Sequence, residues 1–192
     1  MIIIKKAQNN EIISISKIHF NLFTNTLSSK LGIDFLINLY NIVFEDEKSS
    51  ILVIKNSNKI IGFLSYTNNF NYTDKNISKN LPILLKIKSL LILIRNPRLI
   101  KKTIIKALFD IYLKNNIKNN SIYVLTFGIK KEYQRLGLGK KLIMRLISIA
   151  KKKNVKIFLD TELSNGGAVR FYSKMGFKIK KKILGNIIFY RD

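Results

Sequence analysis

The sequence of 192 residues contains no cysteine, a single histidine (His19) and two prolines, and it has only 11 acidic residues compared with 35 basic ones. The absence of cysteine excludes disulfides, thiolate metal sites and a cysteine nucleophile. With one imidazole in the chain, a zinc site or a Ser-His triad is a poor explanation of function, and we expect no bound metal. The length and the hydrophobic fraction of 47% predict a single folded domain over residues 1–192.

Long apolar runs are also lacking. The most apolar stretch, residues 81–94, is interrupted by Lys86 and Lys88 and closed by Arg95. It is shorter than the roughly 20 residues that span a bilayer. The first six residues run from apolar to basic, which reverses the order of a signal peptide. We therefore expect a cytoplasmic protein without a transmembrane segment.

The scarcity of acidic residues leaves a net charge of +24. Such a charge attracts phosphorylated molecules, anionic membranes and nucleic acid. Nucleic-acid binding is disfavoured, because no strand carries the aromatic and basic pattern that stacks bases. Coding bias toward lysine on solvated faces is an equally simple explanation of the charge. Peripheral membrane contact stays open, as does the choice between a monomer and a homodimer.

Strand and helix patterns alternate along the chain, which indicates an α/β fold with helices covering a mixed sheet. We expect a first strand at residues 2–6, a helix capped by Asn9 or Asn10, which Glu11 follows, and a second helix with Asp34 as its N-cap. A β-hairpin follows around the turn at residues 55–58. From residue 121 onward the pattern predicts strand, helix, strand, helix and two closing strands.

Residues 68–120 interrupt this alternation. A polar loop is expected first, then a helix near residues 82–94, and then a helix that restarts at Asn96-Pro97. We interpret the segment as a two-helix insertion packed onto the main domain.

A glycine loop lies between the strand at residues 121–129 and the following helix. It reads Gln134-Arg135-Leu136-Gly137-Leu138-Gly139. Glycine allows close approach of a phosphate, and the first N–H groups of a helix lack internal partners, so an anion is expected at residues 136–141. The loop lacks the Gly-Lys-Ser/Thr of a P-loop and does not complete a dinucleotide-binding fingerprint. A tight strand-to-helix turn without a ligand is the alternative.

The loop resembles the Q/R-x-x-G-x-G/A motif of the GNAT superfamily of acyl-CoA N-acyltransferases. Downstream, the segment from Asn165 to Tyr172 is similar to the N-x-x-A-x-x-x-Y helix of that superfamily, and Gly176-Phe177 to its exit. The resemblance implies a mixed, mostly antiparallel central sheet flanked by helices, with the insertion as a departure. It also implies acetyl-CoA as the cosubstrate.

The resemblance assigns roles to single residues. Backbone groups of Thr126, Phe127, Gly128 and Ile129 would pair with the pantetheine arm, which Asn165 would also hydrogen-bond. Tyr172 would protonate the leaving thiolate. The loop residues that would hold the CoA pyrophosphate are Gln134, Arg135, Leu136, Gly137, Leu138, Gly139 and Lys140. A packing role for Tyr172 stays open, because it belongs to an apolar stripe of its helix.

The general base is not identified by the sequence. The strand that ends at Ile129 contains no acidic residue, so the glutamate that some GNAT members use there is missing. The remaining candidates are Glu45, Glu132, Asp160, Glu162 and His19. His19 lies on an apolar helical face, so a buried histidine with satisfied hydrogen bonds is the alternative for that residue.

The expected activity is transfer of an acetyl group from acetyl-CoA to a primary amine of a small molecule. The insertion, together with pairs such as Ile18-His19 and Leu39-Tyr40, resembles GNAT proteins of bacterial surface-sugar pathways. An amino sugar, anionic through its phosphates, is therefore the expected acceptor. Acetylation of a protein or peptide amine and a non-catalytic CoA- or anion-binding module are the alternatives.

Overall fold

The computed structural model of the chain describes residues 1–118 and 120–192, without the side chains of Pro97 and Arg98. Asn119 and the Arg98 side chain, both part of the expected insertion, lie outside the described residues. The strands are β1 (Ile2–Lys6), β2 (Ser49–Asn56), β3 (Lys59–Thr67), β4 (Ile122–Ile129), β5 (Ile157–Glu162), β6 (Lys178–Ile183) and β7 (Asn186–Arg191). The helices are α1 (Ile12–Leu22), α2 (Leu27–Lys30), α3 (Ile33–Glu45), α4 (Phe70–Asn80), α5 (Ile83–Ile94), α6 (Pro97–Asn116), α7 (Leu138–Lys153) and α8 (Gly166–Lys174).

The strands form one sheet in the order β1-β2-β3-β4-β5-β7-β6. Every neighbouring pair is antiparallel except β4 and β5, which are parallel. This mixed, mostly antiparallel sheet confirms the fold class expected from the sequence. The central strand β3 is buried from Ile60 to Thr67 because helices cover both faces of the sheet. The edge strand β6 is exposed and rich in lysine, which discourages pairing with another chain.

The two faces of the sheet carry different helices. On one face, α7 and α8 pack through Leu142, Leu146 and Tyr172. On the other face, α1 and α3 cover β2 and β3, while Phe109 and Leu113 of α6 cover β4 and β5. We call the second face the α6 face.

Three local expectations were wrong. Gly32, not Asp34, is the N-cap of α3, and its φ of 97° is one that glycine adopts without strain. A short helix, α2, which the sequence analysis did not predict, precedes it. Neither Asn9 nor Asn10 caps α1, because both lie in a 3-10 turn that precedes the helix and has Gln8 as its N-cap. The expected polar loop after residue 68 is largely helical: α4 begins after Asn69, whose side chain accepts a hydrogen bond from the Tyr72 N–H. The two expected helices of the insertion are α5 and α6.

Among the described residues, none of the helices has the length and apolar character needed to cross a membrane.

Candidate active site

The sheet opens between its two parallel strands. β4 and β5 pair only at Ile122 with Ile157 and at Tyr123 with Phe158. Beyond Tyr123, β4 continues to pair with β3, and β5 continues to pair with β7. The facing edges, from Val124 to Ile129 and from Leu159 to Glu162, have no strand partner among the described residues. Apart from the Ile129 carbonyl, which the Gln134 side chain occupies, their inward N–H and C=O groups are available to an extended ligand that bears amides. We call this space the β4–β5 gap.

A β-bulge lies at the point where the gap begins. Ser65 pairs with Thr126 and Tyr66 pairs with Val124, so Leu125 is an extra residue on β4. A bulge bends its strand and increases the local twist. Its position immediately after the last β4–β5 pair explains why the two strands separate there. The sequence analysis did not predict this bulge.

The glycine loop lies beyond the far end of β4 and leads into α7. Arg135 and Gly137 both have left-handed backbone conformations, with φ of 62° and 74°. The first hydrogen bond of the helix runs from the Lys141 N–H to the Gly137 carbonyl, so the preceding N–H groups of the turn point outward without helical partners. Successive N–H groups in such a turn form a concave anion site, and the helix dipole adds to it.

Side chains fix the position of this loop. The Gln134 side-chain amide donates to the Ile129 carbonyl at 2.9 Å and so ties the loop to the end of β4. Phe127 stacks on Phe171 of α8, with ring centroids 5.8 Å apart. A Cβ on Gly139 would lie 3.1 Å from the Phe127 ring, which is tighter than ordinary contact. The two phenylalanines therefore join β4, α7 and α8 beside the gap, and Gly139 allows the helix to approach them.

The two motif residues of α8 have different environments. Asn165 is exposed and caps the helix, since its Oδ1 accepts from the Ala168 N–H at 3.1 Å. Its Nδ2 donor remains available to a ligand. Tyr172 is 7% exposed and lies among Phe171, Phe177 and Phe189. Burial, and then the negative charge of Asp160, raise the pKa of Tyr172, so its hydroxyl is protonated at neutral pH.

Asp160 lies on β5 two residues beyond the last β4–β5 pair. The Tyr123 hydroxyl of β4 donates to Asp160 Oδ1 across the start of the gap. Burial raises the pKa of Asp160, Lys106 of α6 opposes that effect, and Asp110 reinforces it. The buried Tyr123 hydroxyl also has a raised pKa, first through burial and then through Asp160. The net effect is a raised pKa for this carboxyl group at the α6 face of the gap.

Four other candidates for the general base have less suitable surroundings. Glu132 and Glu45 are exposed, and Glu162 is exposed beside the Ser164 hydroxyl. His19 is buried, with Nδ1 2.8 Å from the Tyr40 hydroxyl and Nε2 3.3 Å from the Ser28 hydroxyl. Burial lowers the pKa of His19 to about 4, so its ring is neutral at pH 7. Both ring nitrogens thus have partners within the fold.

Tyr123 is the site residue that the sequence analysis missed. A tyrosine at the second position of a buried strand has the pattern of an ordinary core residue. Its link to Asp160 depends on the parallel register of β4 and β5, which joins residues 37 positions apart. No local signal in the sequence identifies such a pair.

A mixed sheet that opens between two parallel strands, with the N-terminus of a helix beyond the open end, is an arrangement suited to an extended ligand that carries an anionic group. The sequence pattern of the Acetyltransferase (GNAT) family matches residues 14–177. The chain therefore belongs to the GNAT family of acetyltransferases, as the sequence motifs indicated.

Several proteins are similar to this chain over part of its length. It is 33% identical over 69 residues to the probable N-acetyltransferase san of Drosophila melanogaster, which covers 35% of this chain and 38% of that protein. It is 35% identical over 79 residues to a probable spermine N(1)-acetyltransferase of Bacillus subtilis subsp. natto, over 40% of this chain and 51% of that protein. The matches thus span about half the length of these relatives or less.

The whole fold has solved counterparts. The PaiA N-acetyltransferase of Thermoplasma acidophilum, solved in complex with coenzyme A, superposes with a TM-score of 0.61 over 100% of this chain and 99% of that one. The sequences are 16% identical. At that identity the similarity establishes the shared fold.

Proposed function

We propose that the chain transfers the acetyl group of acetyl-CoA to a primary amine. The observation that carries the proposal is the β4–β5 gap, bordered by an unpaired strand edge and leading to an anion-binding helix N-terminus. CoA offers the complementary groups: an extended pantetheine arm with two amides, and a pyrophosphate. Residues 126–129 are suited to pair with the amides. The loop from Gln134 to Lys140 is suited to the pyrophosphate, with Gln134 acting through its bond to Ile129.

Asp160 is the residue that we propose as general base. The acceptor nitrogen attacks the thioester carbonyl carbon, a C–N bond forms, and the C–S bond breaks. The nitrogen must lose a proton, and a carboxylate with a raised pKa beside the point of attack is a suitable acceptor. Tyr123 orients this carboxylate through its hydroxyl. Strand N–H groups near Phe127 or Ile129 can stabilise the developing oxyanion.

Tyr172 is the residue that we propose to act on the leaving sulfur. Its hydroxyl belongs to a buried, protonated phenol. Since a CoA thiol has an ordinary thiol pKa near 8.5 and the pKa of this phenol is raised above 10, a strong hydrogen bond to the sulfur is favoured over full proton transfer. The proton that Asp160 takes from the amine is finally transferred to the thiolate, so that CoA leaves as the free thiol.

The acceptor that we propose is a small primary amine, with a phosphorylated amino sugar as the first class to test. The net charge of +24 attracts such a molecule and repels polycationic amines. A protein N-terminus is the second candidate, because N-alpha-acetyltransferase 50 of Danio rerio is 37% identical to this chain over 60 residues, 36% of that protein.

One assay separates these functions. Release of free CoA from acetyl-CoA is measured against three panels: amino sugars with and without phosphate, polyamines, and peptides with free N-termini. Turnover with the first panel supports the proposal, and turnover with peptides alone supports the second candidate. If calorimetry detects acetyl-CoA binding but every amine fails, the chain is a binding module and the catalytic proposal is wrong.

A further inference from the structure

The helical hairpin of α5 and α6 exposes two continuous apolar stripes. On α5, six side chains on one face are between 49% and 74% exposed: Ile83, Leu84, Ile87, Leu90, Leu91 and Ile94. Their spacing of three or four residues places them on one side of the helix. On α6, the exposed residues with the same spacing are Ile100, Ile104, Leu108 and Ile111, at 38% to 54%.

These stripes are not the surfaces that hold the hairpin onto the fold. Leu85 and Ile92, on another side of α5, pack against Leu31 and Leu36. In α6, the anchors Phe109 and Leu113 are fully buried. The hairpin is therefore attached through one side while a second apolar side faces outward. Contiguous exposed apolar surface of this kind is typical of an interaction site.

Basic residues accompany the stripes. Between residues 83 and 116 the sequence has eight basic residues and one acidic residue, Asp110. Asp110 forms an ion pair with Lys106. Lys88, Arg95, Lys101 and Lys102 are exposed, and the last three lie close to the turn that joins the helices. A second copy of the chain would bring the same positive charges together and is disfavoured on that ground.

We propose that the α5–α6 hairpin docks on an anionic lipid bilayer. Apolar stripes beside exposed lysine and arginine match the two parts of such a surface, its acyl chains and its negative headgroups. The 12 residues of α5 span about 18 Å, much less than the roughly 30 Å hydrocarbon core, so the helix lies in the interface plane. The proposal is independent of the acetyl transfer proposed above.

The first test is sedimentation of the full chain with vesicles of phosphatidylcholine, with and without about 30 mol% phosphatidylglycerol. We expect binding to the anionic vesicles only. The double variant Leu90→Ser/Leu91→Ser should lower the partition coefficient at least 10-fold, because the apolar stripe is interrupted. The control Ile13→Ser/Met144→Ser, at residues 52% and 50% exposed on other helices, should retain binding.

Two charge-reversal variants test whether the positive charge must lie on the α5–α6 hairpin. Lys101→Glu/Lys102→Glu should lower binding at least 10-fold, while Lys181→Glu/Lys182→Glu on β6 changes the net charge equally and should have a much smaller effect. Equal losses in both pairs would mean that the vesicles attract a basic protein without a specific surface, which overturns the proposal.

The absence of tryptophan from the chain allows a local probe. The fluorescence of Leu90→Trp should shift to shorter wavelength when anionic vesicles are added, while that of Met144→Trp should not. Light scattering of the same variants reports the oligomeric state. A dimer that Leu90→Ser/Leu91→Ser converts to a monomer, with no vesicle binding by the original chain, would assign the stripes to a second copy instead.

Discussion

At the scale of single residues, the proposed chemistry is concentrated where β4 and β5 separate. Tyr123, Asp160 and Tyr172 come from β4, β5 and α8, and the charge of Asp160 influences the pKa values of both phenols. The sequence motif made Tyr172 a candidate, and so did the position of Asp160 after a predicted strand. The contact between Asp160 and Tyr123 could not be predicted, because it requires the register of two strands distant in sequence.

Replacing Tyr172 by phenylalanine keeps the buried ring and removes the hydroxyl. We expect kcat to fall about 10- to 100-fold, the worth of one hydrogen bond to a charged group. Acetyl-CoA affinity, measured by calorimetry, should hardly change. A normal kcat under conditions where chemistry limits the rate would leave Tyr172 with a packing role alone.

The variant Asp160→Asn removes the proposed base. We expect kcat to fall about 100-fold and the acidic limb of the pH–rate profile, which should lie above the ordinary aspartate pKa near 4, to disappear. Because the folded state raises this pKa, the ionised carboxylate costs stability at pH values above its unfolded pKa. The variant should therefore melt at the same or a higher temperature at pH 7. A lower melting temperature with an unchanged pH profile would indicate a structural carboxylate.

His19 should make the fold sensitive to mild acid. Its pKa is about 4 in the folded chain and about 6.5 when unfolded, so only the unfolded state binds a proton between these values. The stability that this residue contributes is complete above pH 6.5 and should have fallen by roughly 2.5 kcal/mol at pH 4.5. Urea unfolding at pH 7 and pH 4.5 should show a smaller pH effect in His19→Gln. An identical loss in both proteins would contradict a buried, neutral histidine.

At the scale of elements, the order of strands and helices followed from hydrophobic periodicity. The errors were the N-caps of α1 and α3 and the missed helices α2 and α4. α4 was missed because its sequence is mostly polar. Phe70, Thr73 and Ile77 nevertheless recur at helical spacing and face the interior. Thr73 was not recognisable as an interior residue, since its burial depends on a hydrogen bond of 2.5 Å to Asp46, 27 positions away.

The loop before α7 permits a test with a built-in control. Gly137 and Gly185 have φ of 74° and 77°, and an added Cβ would meet no atom within 4 Å at either position. Alanine should therefore cost about 1 kcal/mol of stability at both, through backbone strain alone. Only Gly137→Ala should also weaken acetyl-CoA binding, roughly 10-fold, because it changes the turn that presents the N–H groups. Equal affinity in the two variants would remove this turn from the cofactor site.

At the scale of the whole molecule, the place where the chain leaves the sheet defines its organisation. Thr67 at the end of β3 pairs with Tyr123 near the start of β4, so the residues between them leave and re-enter the sheet at one place. We propose that residues 1–192 act as one domain and that residues 68–120 are an insertion into a β-hairpin. The outer surface of that insertion is basic and apolar, and its inner side covers the α6 face beside Asp160.

The net charge of +24 should influence which amines react, and salt measures that influence. At saturating acetyl-CoA, we expect kcat/KM for a phosphorylated amino sugar to fall at least about threefold between 50 and 500 mM NaCl, because the Debye length shortens from roughly 13 Å to 4 Å. The same sugar without phosphate should show little change or a modest rise. The pair of acceptors isolates the phosphate, since the reacting amine is the same in both. If the two sugars react equally well at every salt concentration, the positive field does not select the acceptor. The many lysines would then serve only as solvated surface residues.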